Sequence, residues 1–129
     1  MSGFPISEAT PVAFTDPLPA SCDLVIVGGG IIGICAAIFA ADRGLKVVVC
    51  EKGRVAGEQS SRNWGWIRQQ GRDLGELPIV MESIRLWNAF QAELGRDVMG
   101  LRWSGILKAS RTDAHLARSE QWLRLARPF

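Results

Sequence analysis

The feature that most constrains this chain is an apolar run that leads directly into a glycine-rich turn. Residues 23–33 read DLVIVGGGIIG, so a strand-like segment is followed at once by Gly28-x-Gly30-x-x-Gly33. In a dinucleotide-binding turn the first glycine allows the tight bend, the second lets a pyrophosphate approach the backbone, and the third lets the helix pack against the strand. The N–H groups and the dipole at the start of that helix favour phosphates. Because this glycine spacing is a weak signal alone, the flanking sequence must support the interpretation.

The sequence after the turn supplies the remaining parts of a strand–helix–strand unit. A helix is predicted through ICAAIFAADRG, and Gly44 suits the left-handed residue that follows a helix end. Residues 46–50 (KVVVC) indicate a second strand, which leads into Glu51. An acidic side chain at this position, 23 residues after Gly28, is placed to accept hydrogen bonds from an adenosine ribose. The predicted fold class is therefore α/β, built on a nucleotide-binding βαβ unit.

The same apolar stretch has one competing interpretation, a membrane span. Residues 24–41 carry no charge over 18 positions, the lower limit for a spanning helix, and Gly29-x-x-x-Gly33 matches a pattern for helix dimers in membranes. Consecutive glycines weaken a helix interior, however, and the flanking charges show no positive-inside asymmetry. A span also leaves the following KVVVCE unexplained, so the βαβ interpretation is favoured.

Composition sets outer limits on function. A chain of 129 residues corresponds to one domain at most, and a net charge of +2 with dispersed arginines does not indicate a nucleic-acid surface. Cys22, Cys35 and Cys50 lack metal-ligand spacing, so no metal site is predicted. These cysteines suggest core packing in a reducing compartment, and a cytoplasmic location is expected. Residues 1–20 hold four prolines and no secretory signal, which predicts an extended arm.

The loop after Glu51 holds the other candidate binding residues. Four polar side chains offer hydrogen-bonding groups beside the predicted phosphate site, and a glycine between two tryptophans would let a flat ligand approach the backbone. These residues are Ser60, Ser61, Arg62, Asn63 and Gly65. The alternative is that the serines cap a short helix that begins near Arg62, with both tryptophans buried under it. The preceding βαβ unit favours the binding interpretation.

The second half of the chain predicts two helices separated by a short β-hairpin. Apolar residues recur at helical spacing between Glu76 and Gly95, with Pro78 in the first turn. They are Leu77, Val80, Met81, Ile84, Trp87 and Leu94, and this stripe is expected to pack in the core. Residues 100–103 and 105–110 predict the two strands of the hairpin. Thr112 or Asp113 is then expected to cap a terminal helix.

These motifs resemble those of a known family. The pattern Gly28-x-Gly30-x-x-Gly33, Gly44-x-x-Val47 and Glu51, followed by GEQSSRNWGWIRQQGRD, is similar to the N-terminal portion of the DAO family of FAD-dependent oxidoreductases. This family includes glycine and D-amino acid oxidase, sarcosine oxidase and D-amino acid dehydrogenase relatives. The likeness implies an incomplete Rossmann-like FAD-binding domain over residues 21–95. It implies the start of the substrate-domain region over residues 96–129.

The resemblance also implies roles for individual residues. Gly28, Gly30 and Gly33 would contact the FAD pyrophosphate, Glu51 would bind the adenosine ribose, and Lys52 would lie beside the adenine. The stretch from Ser60 through Ser61 and Arg62 to Asn63, with Gly65, would line the path toward the flavin ring. Some relatives attach flavin covalently through a histidine where this chain has Asn63, so non-covalent FAD is expected. The implied activity is oxidation of an amine or amino acid by hydride transfer to flavin, and no catalytic residue is assigned.

The length of the chain bears on how much of such an enzyme it contains. Members of this family run to several hundred residues, and two strands that are apolar on both faces need further sheet and helices to cover them. We therefore expect an N-terminal portion of a flavoenzyme, with a small-molecule substrate and neither nucleic acid nor a membrane span. Two alternatives stay open: an NAD(P)-binding dehydrogenase domain, and a non-catalytic remnant or subunit whose fold a partner chain completes.

Overall fold

The computed structural model describes residues 5–129, so the first four residues of the predicted N-terminal arm lie outside it. The described residues form two compact units, one that extends to Gly65 and one from Trp66 to Phe129. Each unit has its own secondary structure. The division into regions 1–20, 21–95 and 96–129 stays a prediction.

The first unit is built around a parallel strand–helix–strand motif. Strand β1 (Leu24–Val27) leads into helix α1 (Ile31–Ala41), which is followed by strand β2 (Val47–Cys50). The two strands are parallel, and Leu24 pairs with Val47 at one end of the register. The βαβ prediction is confirmed. Helix α1 begins three residues earlier than the sequence indicates, so Gly33 lies in its first turn rather than before it.

The end of α1 has the hydrogen bonds of a glycine-terminated helix. Gly44 has a φ of +82°, in the left-handed region. Its N–H donates to the Ala41 carbonyl at 2.8 Å, and the Leu45 N–H donates to the Ala40 carbonyl at 3.2 Å. This pair of bonds is the Schellman pattern, with the glycine at C′. The predicted role of Gly44 is confirmed.

One face of the two-stranded sheet is covered by α1 and the other is open. Successive residues of a strand point to opposite faces, so Ile26 and its partner Val49 lie on the α1 side. Val25 and Val27 lie on the other face and are 54% and 87% exposed. Parallel sheets are normally covered on both faces. The first unit therefore presents a bare apolar sheet face.

The second unit begins its regular structure with a turn that caps a long helix. The Asp73 carboxylate accepts from the Gly75 N–H at 2.8 Å, and helix α2 (Leu77–Leu94) follows with Pro78 in its first turn. Gly95 ends the helix with a φ of +92°. The predicted start and stop are confirmed.

The buried stripe of α2 is narrower than its apolar pattern indicates. Leu77 is 1% exposed and is the one fully buried hydrophobic side chain within residues 5–129. Val80, Ile84 and Trp87 are half-buried at the expected helical spacing. The expectation for Met81 and Leu94 is wrong, because both side chains are exposed. Leu77, in the first turn, is the most buried position of the helix.

The predicted hairpin over residues 100–110 is wrong. A one-turn helix, α3 (Arg96–Met99), comes first, and Gly100 ends it with a left-handed φ of +62°. No strand follows in residues 100–110, and Leu107 is 96% exposed. Trp103 donates from Nε1 to the Asn88 side chain at 3.2 Å, and this bond links the segment to α2. An isolated two-stranded hairpin is marginal in water, and residues 66–129 contain no strand that could extend one.

The last element is helix α4 (Asp113–Ala126), with Thr112 as its N-cap. The Thr112 hydroxyl accepts from the His115 N–H at 3.2 Å, which confirms the predicted terminal helix. Trp122 donates from Nε1 to the Arg72 carbonyl at 2.7 Å and so anchors α4 within the second unit. A cleft of about 410 Å³ lies beside this anchor, lined by Leu77, Trp122 and Phe129 among others. None of the predicted site residues lines it.

Candidate dinucleotide-binding site

The glycine turn begins where the parallel ladder ends. The Gly28 N–H donates to the Cys50 carbonyl at 2.8 Å, which continues the β1–β2 pairing by one bond. Gly28 then adopts a φ of +106°, a conformation that residues with a Cβ rarely adopt. The tight bend expected at this position is confirmed.

Gly33 allows the closest backbone approach in the turn. A Cβ built at this position would lie 2.0 Å from the Gly28 carbonyl oxygen and 3.3 Å from Ile26 Cγ2. No side chain other than hydrogen fits such a gap. The predicted reason for this glycine, close packing of helix on strand, is confirmed by the geometry.

Two backbone donors at the start of α1 have no acceptor in the part of the chain that the structure describes. Gly30 is the N-cap and brings no side chain of its own, while the Ile31 N–H donates to the Ser60 hydroxyl at 2.9 Å. The N–H groups in the first turn of a helix have no acceptor within the helix. Among residues 5–129, those of Ile32 and Gly33 have no other acceptor. These two donors and the helix dipole make the start of α1 suited to an anion.

Glu51 is bound to the glycine turn through both carboxylate oxygens. Oε2 accepts from the Gly29 N–H at 2.7 Å, and Oε1 accepts from the Gly53 N–H at 2.8 Å. These two bonds, Gly29 first, lower the pKa of the Glu51 carboxyl from its ordinary value, with a smaller contribution from the charge of Lys52. The sequence predicts a ribose contact for Glu51 but not this link to the turn. Gly29 and Glu51 are 22 residues apart in the chain, so no local pattern indicates that they form a hydrogen bond.

This link predicts an acid-sensitive step in stability. Because the pKa of Glu51 is lower in the folded state, the carboxylate stabilises the fold above its ordinary pKa of 4.5, and this contribution is lost as the pH falls through the folded-state value. Glu51→Gln should lower the melting temperature at pH 7, and the deficit should shrink below about pH 4. Thermal melts of the two proteins at several pH values check this. A deficit that stays constant with pH would contradict it, and Glu120→Gln on the exposed face of α4 is the control.

The loop after Glu51 lies against the same glycine. The Ala56 N–H donates to the Gly29 carbonyl at 2.9 Å, so both backbone groups of Gly29 are bound by residues that follow β2. Gly29 itself is buried. Gly29, the middle residue of the turn, is thus bound by the Glu51 carboxylate at its N–H and by the Ala56 amide at its carbonyl group.

Ser60 is brought to the turn, whereas the polar residues after it hold their own loop together. A Cβ at Gly30 would lie 3.2 Å from the Ser60 hydroxyl, which already caps α1. Ser61 donates to the Glu58 carbonyl at 3.2 Å, and Arg62 pairs with the Glu58 carboxylate at 3.2 Å. The alternative in which Ser60 and Ser61 cap a helix beginning near Arg62 is wrong, because both lie within a 3₁₀ turn, Gln59–Ser61.

The remaining predicted residues lie on the outer part of this loop. Asn63 donates to the Ser60 carbonyl at 2.8 Å and accepts from the Gly65 N–H at 2.6 Å. Lys52 is exposed and lies 3.7 Å from the Glu58 carboxylate. Trp64 is 84% exposed, so the alternative in which the tryptophans are buried under a helix is wrong.

The competing membrane interpretation gains no support from the helices. Helix α1 has 11 residues, and within residues 5–129 no helix combines the length and apolar character needed to cross a bilayer.

Comparison with known proteins identifies the family. The family model described as DAO, FAD dependent oxidoreductase, matches residues 23–129. The chain belongs to the DAO family of FAD-dependent oxidoreductases. The resemblance drawn from the glycine turn and the SSRN loop is confirmed, as is FAD as the cofactor of the family. The NAD(P) alternative is not favoured.

Solved structures of DAO-like enzymes share the fold. L-amino acid deaminase from Proteus myxofaciens, solved in complex with anthranilate, is 33% identical with a TM-score of 0.85 and covers 98% of this chain. L-amino acid deaminase from Proteus vulgaris, solved with its specific insertion sequence deleted, is 30% identical with a TM-score of 0.76 over 86% of the chain. The α/β fold class, a partial Rossmann-like domain, is confirmed.

Relatives with known activities match over shorter segments. D-erythritol 1-phosphate dehydrogenase from Brucella abortus is 53% identical over 45 residues, or 35% of this chain. Gamma-glutamylputrescine oxidoreductase from Escherichia coli is 33% identical over 78 residues, or 58% of this chain. The chain spans 9% and 18% of the lengths of these relatives, and 28% of the Proteus myxofaciens enzyme.

Proposed function

We propose that this chain forms the part of an FAD site that binds the adenosine and pyrophosphate groups, in an oxidoreductase that oxidises amines or amino acids. The observation that carries the proposal is the start of α1, where the N–H groups of Ile32 and Gly33 have no acceptor within the described residues. A diphosphate placed there would accept both hydrogen bonds and interact favourably with the helix dipole. When bound, FAD supplies the hydride acceptor.

The three predicted glycines have distinct parts in this proposal. Gly30 leaves the start of α1 uncovered, since it has no side chain between the helix N-terminus and a phosphate. Gly28 allows the bend that brings the backbone there, and Gly33 keeps α1 against β1. The geometry of the turn supports a contact between this backbone and the pyrophosphate.

Glu51 retains the capacity to bind a ribose while it holds the turn. Each carboxylate oxygen accepts one backbone N–H, and a carboxylate has about four acceptor positions in all. A ribose hydroxyl can therefore donate to Glu51 without breaking either backbone bond. We propose that Glu51 binds the adenosine ribose, with the exposed Lys52 beside the adenine.

The outer loop is proposed to run from the phosphates toward the flavin ring. Ser60, at the start of α1, would lie nearest to the pyrophosphate, followed by Ser61, Arg62, Asn63 and Gly65 along the loop. Asn63 has an amide that bonds its own loop rather than a side chain able to attack flavin, which supports non-covalent FAD.

The substrate class rests on the names of the related enzymes. The two deaminases act by name on L-amino acids, and gamma-glutamylputrescine is an amine. The Brucella abortus relative acts by name on a sugar-alcohol phosphate. The deaminases match nearly the whole chain, whereas that relative matches a third of it, so an amine or amino-acid substrate is the better supported class.

Two further features support proposals about what covers the sheet and about the cellular compartment. The bare sheet face with Val25 and Val27 supports a covering segment supplied by a longer form of the chain or by a partner chain. The described cysteines are free thiols, which supports a reducing compartment such as the cytoplasm.

The proposed cofactor site predicts a specific pattern of ligand competition. We expect FAD to bind the protein and ADP to compete with it, because ADP carries both the adenosine and the diphosphate. FMN should compete poorly, since it lacks the adenosine. Quenching of flavin fluorescence on titration, followed by displacement, measures both. Tighter binding of NADH than of FAD, or displacement by FMN alone, would contradict the proposed site.

A further inference from the structure

We propose that Arg54 and the N-terminal turn of residues 7–10 form a strap that holds the loop after β2 against the glycine turn and thereby raises FAD affinity. This inference rests on the proposed function for its effect on FAD. The strap itself is made of contacts within the first unit. It makes Arg54 a positioning residue, distinct from the residues that would touch the cofactor.

The guanidinium of Arg54 binds two carbonyl groups of a single turn. Nε donates to the Thr10 carbonyl, and Nη2 donates to the Glu8 carbonyl at 3.1 Å. These residues lie 44 and 46 positions apart from Arg54 in the chain. The planar fork of arginine suits two such acceptors at once, which a lysine cannot match. Arg54 is therefore a fixed link between the N-terminal segment and the loop after β2.

The N-terminal segment presents these carbonyls as a closed turn. The Thr10 N–H donates to the Ser7 carbonyl at 2.9 Å, and the Ser7 N–H donates to the Thr10 hydroxyl at 3.0 Å. The Ala9 N–H donates to the Ser7 hydroxyl at 3.3 Å. Because the turn is held by its own bonds, its carbonyl groups are preorganised to accept from Arg54.

The loop that Arg54 belongs to is tightly bent and strained. The Gly57 N–H donates to the Arg54 carbonyl at 2.8 Å, and a Cβ at Gly57 would lie 3.0 Å from that carbonyl. Between them Ala56 has a φ of +60°, the left-handed region that a residue with a Cβ seldom adopts. Such a conformation persists only where the surrounding contacts hold it. Arg54 supplies a contact on one side of Ala56, and Gly29 supplies one on the other.

Hydrogen bonds of the loop after β2 connect the strap to the proposed adenosine site. Ala56 binds the Gly29 carbonyl, Glu51 binds the Gly29 N–H, and Gly53 binds the other oxygen of Glu51. The orientation of the carboxylate and of the middle glycine therefore depends on a loop whose outer anchor is Arg54. A loosened loop must be ordered again when the cofactor binds, which weakens binding without removing any ligand contact.

The test compares Arg54→Gln and Arg54→Lys with Arg85→Gln in the full chain. Arg85 pairs with Glu82 on the exposed face of α2, so its variant removes an arginine outside the strap. We expect Arg54→Gln to raise the Kd of FAD and of ADP about five- to tenfold. Arg54→Lys should raise both values by a smaller factor, and Arg85→Gln should bind both ligands as wild type does. Unchanged FAD affinity in Arg54→Gln would overturn the strap. Should Arg54→Gln fail to fold, Thr10→Ala tests the same link by removing the acceptor of the Ser7 N–H.

Amide hydrogen exchange separates this inference from the proposed function. The Thr10 N–H donates to the Ser7 carbonyl within the strap, and the Ala56 N–H donates to the Gly29 carbonyl. Both amides should exchange faster in Arg54→Gln than in wild type, with no cofactor present. If wild type fails to bind FAD, the proposed function fails, and the exchange rates still decide on the strap. Equal rates at both amides in the two proteins would overturn it.

Discussion

Gly33→Ala is expected to lower the free energy of unfolding of the first unit by at least about 3 kcal/mol, at the upper end of what an overpacking substitution does. The added methyl group would lie 2.0 Å from the Gly28 carbonyl oxygen, which is backbone and cannot rotate away. Relief requires α1 to move off β1. That movement would separate the helix from Ile26, whose Cγ2 is 3.3 Å from the same point.

Urea denaturation monitored by circular dichroism measures this loss, with Gly53→Ala as the matched control. A Cβ at Gly53 would lie 3.6 Å from Glu51 Oε1, an ordinary contact, so this change should alter stability by less than about 1 kcal/mol. Both substitutions add one methyl group to the same unit. If Gly33→Ala were as stable as Gly53→Ala, the close approach of helix and strand would be contradicted.

Gly30→Val is expected to weaken FAD binding by a factor of about 100 or more while the first unit stays folded, a change of roughly 3 kcal/mol in binding. The backbone at this residue has a φ of −76° and a ψ of 178°, which valine adopts readily. Its Cβ, however, would lie 3.2 Å from the Ser60 hydroxyl, at the N-terminus of α1. The branched side chain would occupy the place proposed for the pyrophosphate.

Ser60→Ala separates loss of the cap from obstruction of the phosphate site. It removes the acceptor of the Ile31 N–H and should cost about 1 kcal/mol in stability, as other N-cap losses do. Its effect on FAD affinity should be far smaller than that of Gly30→Val, because the N–H groups of Ile32 and Gly33 stay uncovered. Wild-type FAD affinity in Gly30→Val, measured by flavin fluorescence with circular dichroism as the folding control, would contradict the pyrophosphate proposal.

Local signals in the sequence were the dependable ones. Gly44, Pro78 and Thr112 each act within a few residues of their own position, at helix ends whose hydrogen bonds are short-range. The hairpin prediction for residues 100–110 failed because strand formation depends on a partner elsewhere, and in this structure Gly100 ends a helix instead. The alternative helix after Ser61 failed for a related reason, because Ser60 is used to cap α1.

The sequence by itself determined the βαβ unit, the family and the cofactor, because a glycine turn and an acidic residue after the second strand are local requirements of binding a dinucleotide. Only the tertiary structure decided what holds that turn. Glu51 reaches Gly29 across 22 residues, Ser60 reaches Ile31 across 29, and Arg54 reaches Thr10 across 44. Each bond joins a side chain to a backbone group, which every residue other than proline offers alike. No pattern of residue types could therefore reveal these partners before the chain was folded.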